Sequence, residues 1–326
     1  MRAVRLHQFG PAENLVVDEV PDPEPGPDQV RVRVEAAGVH VLDTVIRSGA
    51  DGGPFPLPDL PTVPGREVAG VVDAVGDGVD PAWVGRRVVA HLGMASGGYA
   101  EAALAPVTSL HTVPSGMGPE EAVAMIGTGR TTFGILEAAE LRPSDVVLVT
   151  AAAGGLGSLL VQAARRTGAL VVGVAGGPHK VQVVRDLDAD LALDYERPGW
   201  EERVRQALDG REVSVVLLAV GDDLGRGALS LLGDGGRVVA YGWSGGEPVH
   251  LTHDQLARGM VEIGDLGRRI MGRPGGMRDL EELALGAAGW HEVHPLVGQV
   301  FRLEEAAAAH RAVEGRDTVG KTVLRP

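Results

Sequence analysis

Residues 150–158 read TAAAGGLGS, and the fold turns on this stretch. It follows a continuous apolar run at 145–150 (DVVLVT), which reads as a buried strand. It opens a helically spaced run at 156–167 (LGSLLVQAARRT). Strand, glycine turn and helix in this order are the setting that a dinucleotide fingerprint needs. Aligned on G-x-G-x-x-G, Ala152 takes the first glycine position, Gly154 the second and Gly157 the third. Gly154 lets the backbone approach a pyrophosphate, and Gly157 lets the helix close on the strand. The helix start offers its amides to the phosphates. A tight strand–helix turn with no ligand would carry the same letters.

Outward from the turn, strand and helix alternate. Apolar runs at 170–175, 191–193, 213–220 (VSVVLLAV) and 237–241 are separated by helix-like runs at 180–187, 200–208 and 225–232. This predicts an α/β fold with a Rossmann doubly wound parallel sheet. An NAD site places a carboxylate at the end of the second strand, about 20 residues beyond the turn. Here residues 174–177 read VAGG, no carboxylate comes before Asp186, and His179 and Lys180 follow. A cation there suits a 2′-phosphate, so the expected cofactor is NADPH. Lys180 also reads as a solvated residue at a helix start.

The first third reads differently. Residues 30–35 (VRVRVE) alternate with period two, and 67–75 and 87–91 are further strand candidates. Gly52, Gly53, Pro54 and the prolines up to Pro64 punctuate them, which suggests a compact barrel or sandwich. Helix-forming sequence occupies 119–139, and 318–324 (TVGKTVL) reads as a last strand that returns to the first domain.

Composition removes several function classes. The 326 residues include no cysteine, which excludes disulfides, thiolate metal sites and cysteine nucleophiles. A formal charge of −14 argues against nucleic-acid partners. No run of roughly 18 apolar residues suggests a membrane span, and no signal-peptide core is visible, so a cytoplasmic protein is expected. Among 30 basic residues, only Lys180 and Lys321 are lysine.

Several motifs in order carry a resemblance over essentially the whole chain: 36–49 (AAGVHVLDTVIRSG), 64–70 (PGREVAG), 151–157 (AAAGGLG), 193–196 (LDYE), Val220-Gly221 and Tyr241-Gly242. The chain resembles the zinc-independent quinone oxidoreductase branch of the medium-chain dehydrogenase/reductase superfamily. The resemblance implies a GroES-like β-rich catalytic domain from 1–124 and 264–326, with a Rossmann NADP-binding domain at 125–263. It also implies a homodimer, with 213–220 and 261–266 as candidate interface strands. Zinc relatives place Cys where His40 stands and His where Arg66 stands, so no metal is expected.

Carried onto this chain, the resemblance puts Ala153, Gly154, Gly155 and Leu156 at the pyrophosphate. Gly176, His179, Lys180 and Tyr195 fall around the 2′-phosphate, and Thr128, Val220, Tyr241 and Gly242 near the nicotinamide. Lys321 would approach the cofactor. Arg130 would contact a phosphate or cap local carbonyls. His40 and Asp43 would line the substrate cleft, with His40 and Val45 departing from the usual Asn and Tyr. The expected activity is hydride transfer from NADPH to a quinone. Reduction of an alkenal, enone or enoyl thioester is the alternative, for which Arg268, Arg269, Arg273 and Arg278 read either as a basic entrance for the thioester carrier or, the favoured reading, as solvated surface charges. A noncatalytic NADPH-binding protein is a third, more remote reading. His40 is the candidate acid, because imidazole titrates near neutrality; a structural histidine is the competing reading. Asp43 would orient a neighbour or hold a turn.

Overall fold

The computed structural model describes residues 1–50, 56–244 and 246–326. Gly52, Gly53 and Pro54 lie outside the described residues. The chain divides into two units, Met1–Gly127 with Ala284–Gly289 and Pro295–Pro326, and Thr128–Leu283 with Trp290–His294.

The second unit is built on a six-stranded sheet. Its spatial order is Leu191–Asp194, Leu170–Ala175, Val146–Val149, Val213–Val220, Leu232–Ser244, Val261–Ile263. Every neighbouring pair is parallel. Counted along the chain this is the order 3-2-1-4-5-6 of the Rossmann fold, reversing between Val146–Val149 and Val213–Val220. The central strands are apolar on both faces, as covered parallel strands must be: Val147, Leu148, Val215, Val216 and Leu217 have no exposed surface. Val213–Val220 therefore lies in the middle of the sheet, paired on both sides, and cannot serve as an interface strand. The outer strand beyond Leu232–Ser244 is Val261–Ile263.

Arg237 fixes one end of this sheet. Its guanidinium reaches Asp145 Oδ2 at 2.7 Å and donates to the carbonyls of Ala139 at 2.7 Å and Glu140 at 3.0 Å. It thereby ties the end of helix Arg130–Ala139 to the start of the first strand. Burial opposes ionisation of Asp145, but Arg237, the Arg142 amide and the Ser214 hydroxyl outweigh it and hold the carboxyl below its ordinary range.

Some expected boundaries move. The helix expected at 225–232 is Asp222–Leu229, and the strand after it begins at Leu232 rather than 237. The helical stretch at 119–139 is three pieces, Pro119–Ala124, a π-helical turn Met125–Gly129, and Arg130–Ala139. Residues 264–283, expected with the catalytic domain, group with the Rossmann unit. Contacts across the chain place them there. Arg273 pairs with Glu137 at 2.8 Å and Glu281 with Arg130 at 2.8 Å. Ile270 packs where a side chain on Gly134 would stand.

The first unit holds a seven-stranded sheet ordered Val297–Arg302, Lys321–Arg325, Gln29–Val39, Glu67–Val75, Arg87–His91, Leu110–Thr112, with Ala102–Pro106 also on Gln29–Val39. All pairs are antiparallel except Val297–Arg302 with Lys321–Arg325. The alternation at 30–35 puts Val30 and Val32 in the core with no exposed surface. The last strand sets Thr322 opposite Val39, which brings Lys321 beside His40.

Candidate active site

In the Rossmann unit the turn after Val146–Val149 takes Ala151 into the left-handed region at φ 48°. Gly154 then starts helix Gly155–Arg166, its N–H donating to Ala151 O at 2.9 Å. The two glycines are used differently. A Cβ on Gly157 would collide with the Ala151 carbonyl and stand 2.8 Å from Ala152 Cα, so the close helix–strand approach needs this glycine. A Cβ on Gly154 would meet Ala151 O at 3.3 Å and nothing else within van der Waals range. Ala153 is buried, while Gly154, Gly155 and Leu156 keep partial exposure at the helix start.

The end of the second strand is more acidic than its own sequence suggests. Gly176 precedes helix Gly177–Asp186, with His179 exposed and Lys180 half-buried in its first turns. Asp194 Oδ1 accepts from the amides of Gly177 and Glu196, each at 3.0 Å. A Cβ on Gly176 would run into the Glu196 carboxylate and lie 3.1 Å from the Tyr195 ring. Glu196 stands in the turn just past the neighbouring strand Leu191–Asp194, so a rule that inspects only the second strand misses it.

Thr128 and Val220 are buried. The Tyr241 hydroxyl points at Thr150 O at 3.5 Å, and burial pushes this phenol up. A Cβ on Gly242 would meet the Ala219 carbonyl at 3.2 Å. Arg130 is paired with Glu281 at 2.8 Å. Of the arginines near residue 270, Arg273 is held by Glu137 and Asp279, Arg269 Nε donates to Gly264 O at 3.1 Å, and Arg278 pairs with Glu282 at 3.0 Å.

The catalytic unit contains an ionic cluster that sequence reasoning missed. Glu67 begins its strand and has no exposed surface. Its Oε1 lies 2.7 Å from His40 Nε2, and its Oε2 lies 2.7 Å from Lys321 Nζ. Lys321 Nζ and His40 Nε2 are themselves 2.9 Å apart. His91 stands opposite Glu67 on the adjacent strand. Burial opposes ionisation of Glu67, but the charges of His40, Lys321 and His91 outweigh it and hold the carboxyl far below its ordinary range. Small residues make the space: a Cβ on Gly38 or on Gly127 would collide with the Glu67 carboxylate. Lys321 thus directs its ammonium into its own unit, whereas the His40 side chain keeps 29% of its surface exposed.

Asp43 is also buried. It accepts from the His40 backbone N–H at 2.9 Å and from the Tyr99 hydroxyl at 3.1 Å, which fixes the start of helix Val41–Ser48. Tyr99 in turn lies 3.2 Å from His310 Nε2. His310 has no exposed surface and its Nδ1 has no hydrogen bond among the described residues. Burial, helped by the Arg47 charge, pushes its pKa down to about 3.

Two family models match, an alcohol dehydrogenase GroES-like domain at residues 26–115 and a zinc-binding dehydrogenase domain at residues 155–284. A 2-haloacrylate reductase of Burkholderia sp is 33% identical over 330 residues, covering 99% of this chain and 98% of that protein. A quinone oxidoreductase of Salmonella typhimurium is 32% identical, covering 99% of both. The chain belongs to the quinone oxidoreductase branch of the medium-chain dehydrogenase/reductase superfamily. The crystal structure of Escherichia coli quinone oxidoreductase complexed with NADPH matches with a TM-score of 0.87 at 27% identity, covering 100% of both chains. As a member of this branch the protein is an oxidoreductase, with a Rossmann unit and a GroES-like unit. No helix of the described residues is long and apolar enough to cross a membrane.

Proposed function

We propose that this quinone oxidoreductase family member is a zinc-free, NADPH-dependent reductase of quinones. The observation that carries the reading is the unequal use of the two glycines at the turn. Gly157 is required by the fold and Gly154 is not, which leaves room at the helix start for a group outside the chain. Ala153, Gly154, Gly155 and Leu156 would hold the pyrophosphate. Gly176, His179, Lys180 and Tyr195 would surround the 2′-phosphate, and Thr128, Val220, Tyr241 and Gly242 would lie toward the nicotinamide, while Arg130, expected at a phosphate or a carbonyl cap, is paired with Glu281. When bound, NADPH supplies a hydride to an electrophilic carbon, and negative charge gathers on the acceptor oxygen. His40 supplies the proton that neutralises this charge. Asp43 acts as a support, holding the His40 backbone and Tyr99 in place.

The donor set supports a zinc-free reading. A catalytic zinc takes three protein ligands plus an open position. Here the chain has no cysteine, Arg66 stands where zinc relatives have His, and the Lys321 ammonium lies 2.9 Å from the His40 nitrogen. No step through a metal is therefore derived. A second reading, reduction of an electron-poor alkene conjugated to a carbonyl, is favoured by the 33% identical 2-haloacrylate reductase. The arginines near residue 270 do not favour a thioester carrier, because Arg273 and Arg278 are already paired with carboxylates.

NADPH oxidation measured against quinones, 2-enals, 2-haloacrylates and enoyl thioesters decides the substrate class. Turnover of quinones above the rest is expected; turnover of the alkenes alone would move the assignment to the second reading. Lys180→Ala should weaken NADPH by about tenfold or more and leave NADH nearly unchanged; an equal loss for both would remove the 2′-phosphate role. A homodimer is expected, with Val261–Ile263 as the candidate edge; light scattering that gives a monomer would oppose it.

A further inference from the structure

Helix Val41–Ser48 is held at two points one turn apart. At the first, Asp43 Oδ2 accepts from the His40 backbone N–H at 2.9 Å and from the Tyr99 hydroxyl at 3.1 Å, so one oxygen serves both. At the second, Arg47 donates to Gly10 O at 2.6 Å and pairs with Glu314. The groups that meet them are also one turn apart, because His310 and Glu314 both lie on helix Ala306–Glu314. Asp43, Arg47, Tyr99 and His310 are all buried. The hydrogen bonds at the Asp43 end select a tautomer. A phenol has one hydrogen, and a carboxylate only accepts. With that hydrogen on Asp43, the Tyr99 oxygen is left to accept, and His310 Nε2 at 3.2 Å donates to it. With the ring hydrogen on Nδ1 instead, Nε2 would compete with Asp43 for the phenol hydrogen. Nδ1 is thus a lone pair, and it has no hydrogen bond among the described residues. Burial and the Arg47 charge both oppose a second proton on this ring.

We propose that Tyr99 and His310 are positioning residues for the reduction: His310, with its ring hydrogen on Nε2, holds the phenol so that the phenol hydrogen stays on Asp43, and Asp43 holds the backbone that carries the His40 ring. The inference rests on the reading of His40 as the acid. Tyr99 and His310 act through Asp43 and touch neither acceptor nor cofactor, and no proton moves between them in the reaction. Their effect falls on the proton-transfer step, because a donor displaced by roughly 1 Å loses its reach toward the acceptor oxygen. NADPH binding is left aside, because the residues assigned to it lie in the Rossmann unit.

Three variants separate positioning from bulk. Tyr99→Phe keeps the ring and removes the hydroxyl. His310→Met removes the ring donor, and His310→Gln returns an amide N–H toward the place of Nε2. Tyr99→Phe and His310→Met are expected to lower kcat by about 10- to 100-fold with KM for NADPH little changed, and the double variant to lose little beyond either alone. His310→Gln should recover most of kcat. Backbone hydrogen exchange reads the same contacts without turnover. The His40 amide should exchange about tenfold or more faster in Tyr99→Phe and His310→Met than in wild type or His310→Gln. Ring nitrogen-15 shifts, with the His310 signal assigned by its loss in His310→Gln, should show the hydrogen on Nε2. A hydrogen on Nδ1 overturns the inference, as do folded Tyr99→Phe and His310→Met proteins that match wild type in kcat and in His40 exchange. Should those two variants fail to fold, the wild-type tautomer and the kcat of His310→Gln decide. Wild type that reduces no acceptor in the panel would instead remove the functional reading, and the exchange and tautomer measurements would decide the hold on His40 by themselves.

Discussion

Glu67 keeps its charge without any contact with water because three basic side chains converge on it and small residues clear its space. Gly127→Ala would drive a methyl into this carboxylate, so unfolding should lose roughly 3–5 kcal/mol, the scale for disrupting a buried ion pair. Gly154→Ala should behave oppositely, with thermal unfolding within a few degrees of wild type and weakened NADPH binding. Equal stability losses for the two would contradict their different uses. Glu196 predicts a third effect at this scale. Its carboxylate beside Gly176 repels a 2′-phosphate, so Glu196→Gln should tighten NADPH several-fold while leaving NADH nearly unchanged, as read by fluorescence titration. The glycine turn was legible in sequence because its meaning is local. The cluster was not. Glu67 stands in plain view within PGREVAG, but His40 and Lys321 are 281 positions apart, and no periodicity joins them. The scarcity of lysine and the family resemblance both single out Lys321, but neither points to Glu67 as its partner.

At the level of elements, continuous apolar runs announced the parallel strands, since strands covered on both faces leave no polar alternation to misread. What the runs could not announce was their spatial order. The resemblance offers Val213–Val220 as an interface strand, yet its continuous apolar sequence belongs to a strand in the middle of the sheet. The return to the catalytic unit near 284 instead of 264 escaped for a similar reason. It depends on side-chain pairs such as Arg273 with Glu137, which are far apart in sequence. Arg237 offers the element-scale test. It joins a helix end to a strand start through Asp145, so Arg237→Ala should cost about 2–4 kcal/mol and lower the unfolding temperature. Arg237→Ala combined with Asp145→Asn should recover part of that loss, because no uncompensated carboxylate is left.

For the whole molecule, buried ionisable groups set the response to acid. An unfolded histidine takes up a proton near 6.5, whereas folded His310 resists until about 3. Between those values the unfolded chain binds the extra proton, so stability falls as pH drops, by about 1.4 kcal/mol per pH unit for this group. Glu67, held below its ordinary 4.5, adds a further loss once the pH falls under that value. His310→Gln should flatten the slope of unfolding free energy between pH 6 and pH 4 by about one proton; an unchanged slope would mean that His310 is charged in the fold. The absence of cysteine and the Lys321 ammonium beside His40 support the central proposal, that reduction uses the cofactor and the chain's own proton donors and no metal. Its most direct test is deuterium transfer from NADPH labelled at C4 to a 2-enal, whose new carbon–deuterium bond does not exchange with water as a hydroquinone would, using chelator-treated protein whose metal content has been assayed. The account predicts deuterium on the reduced acceptor at an undiminished rate. Activity lost on chelation and restored by zinc, or product without deuterium, would contradict it.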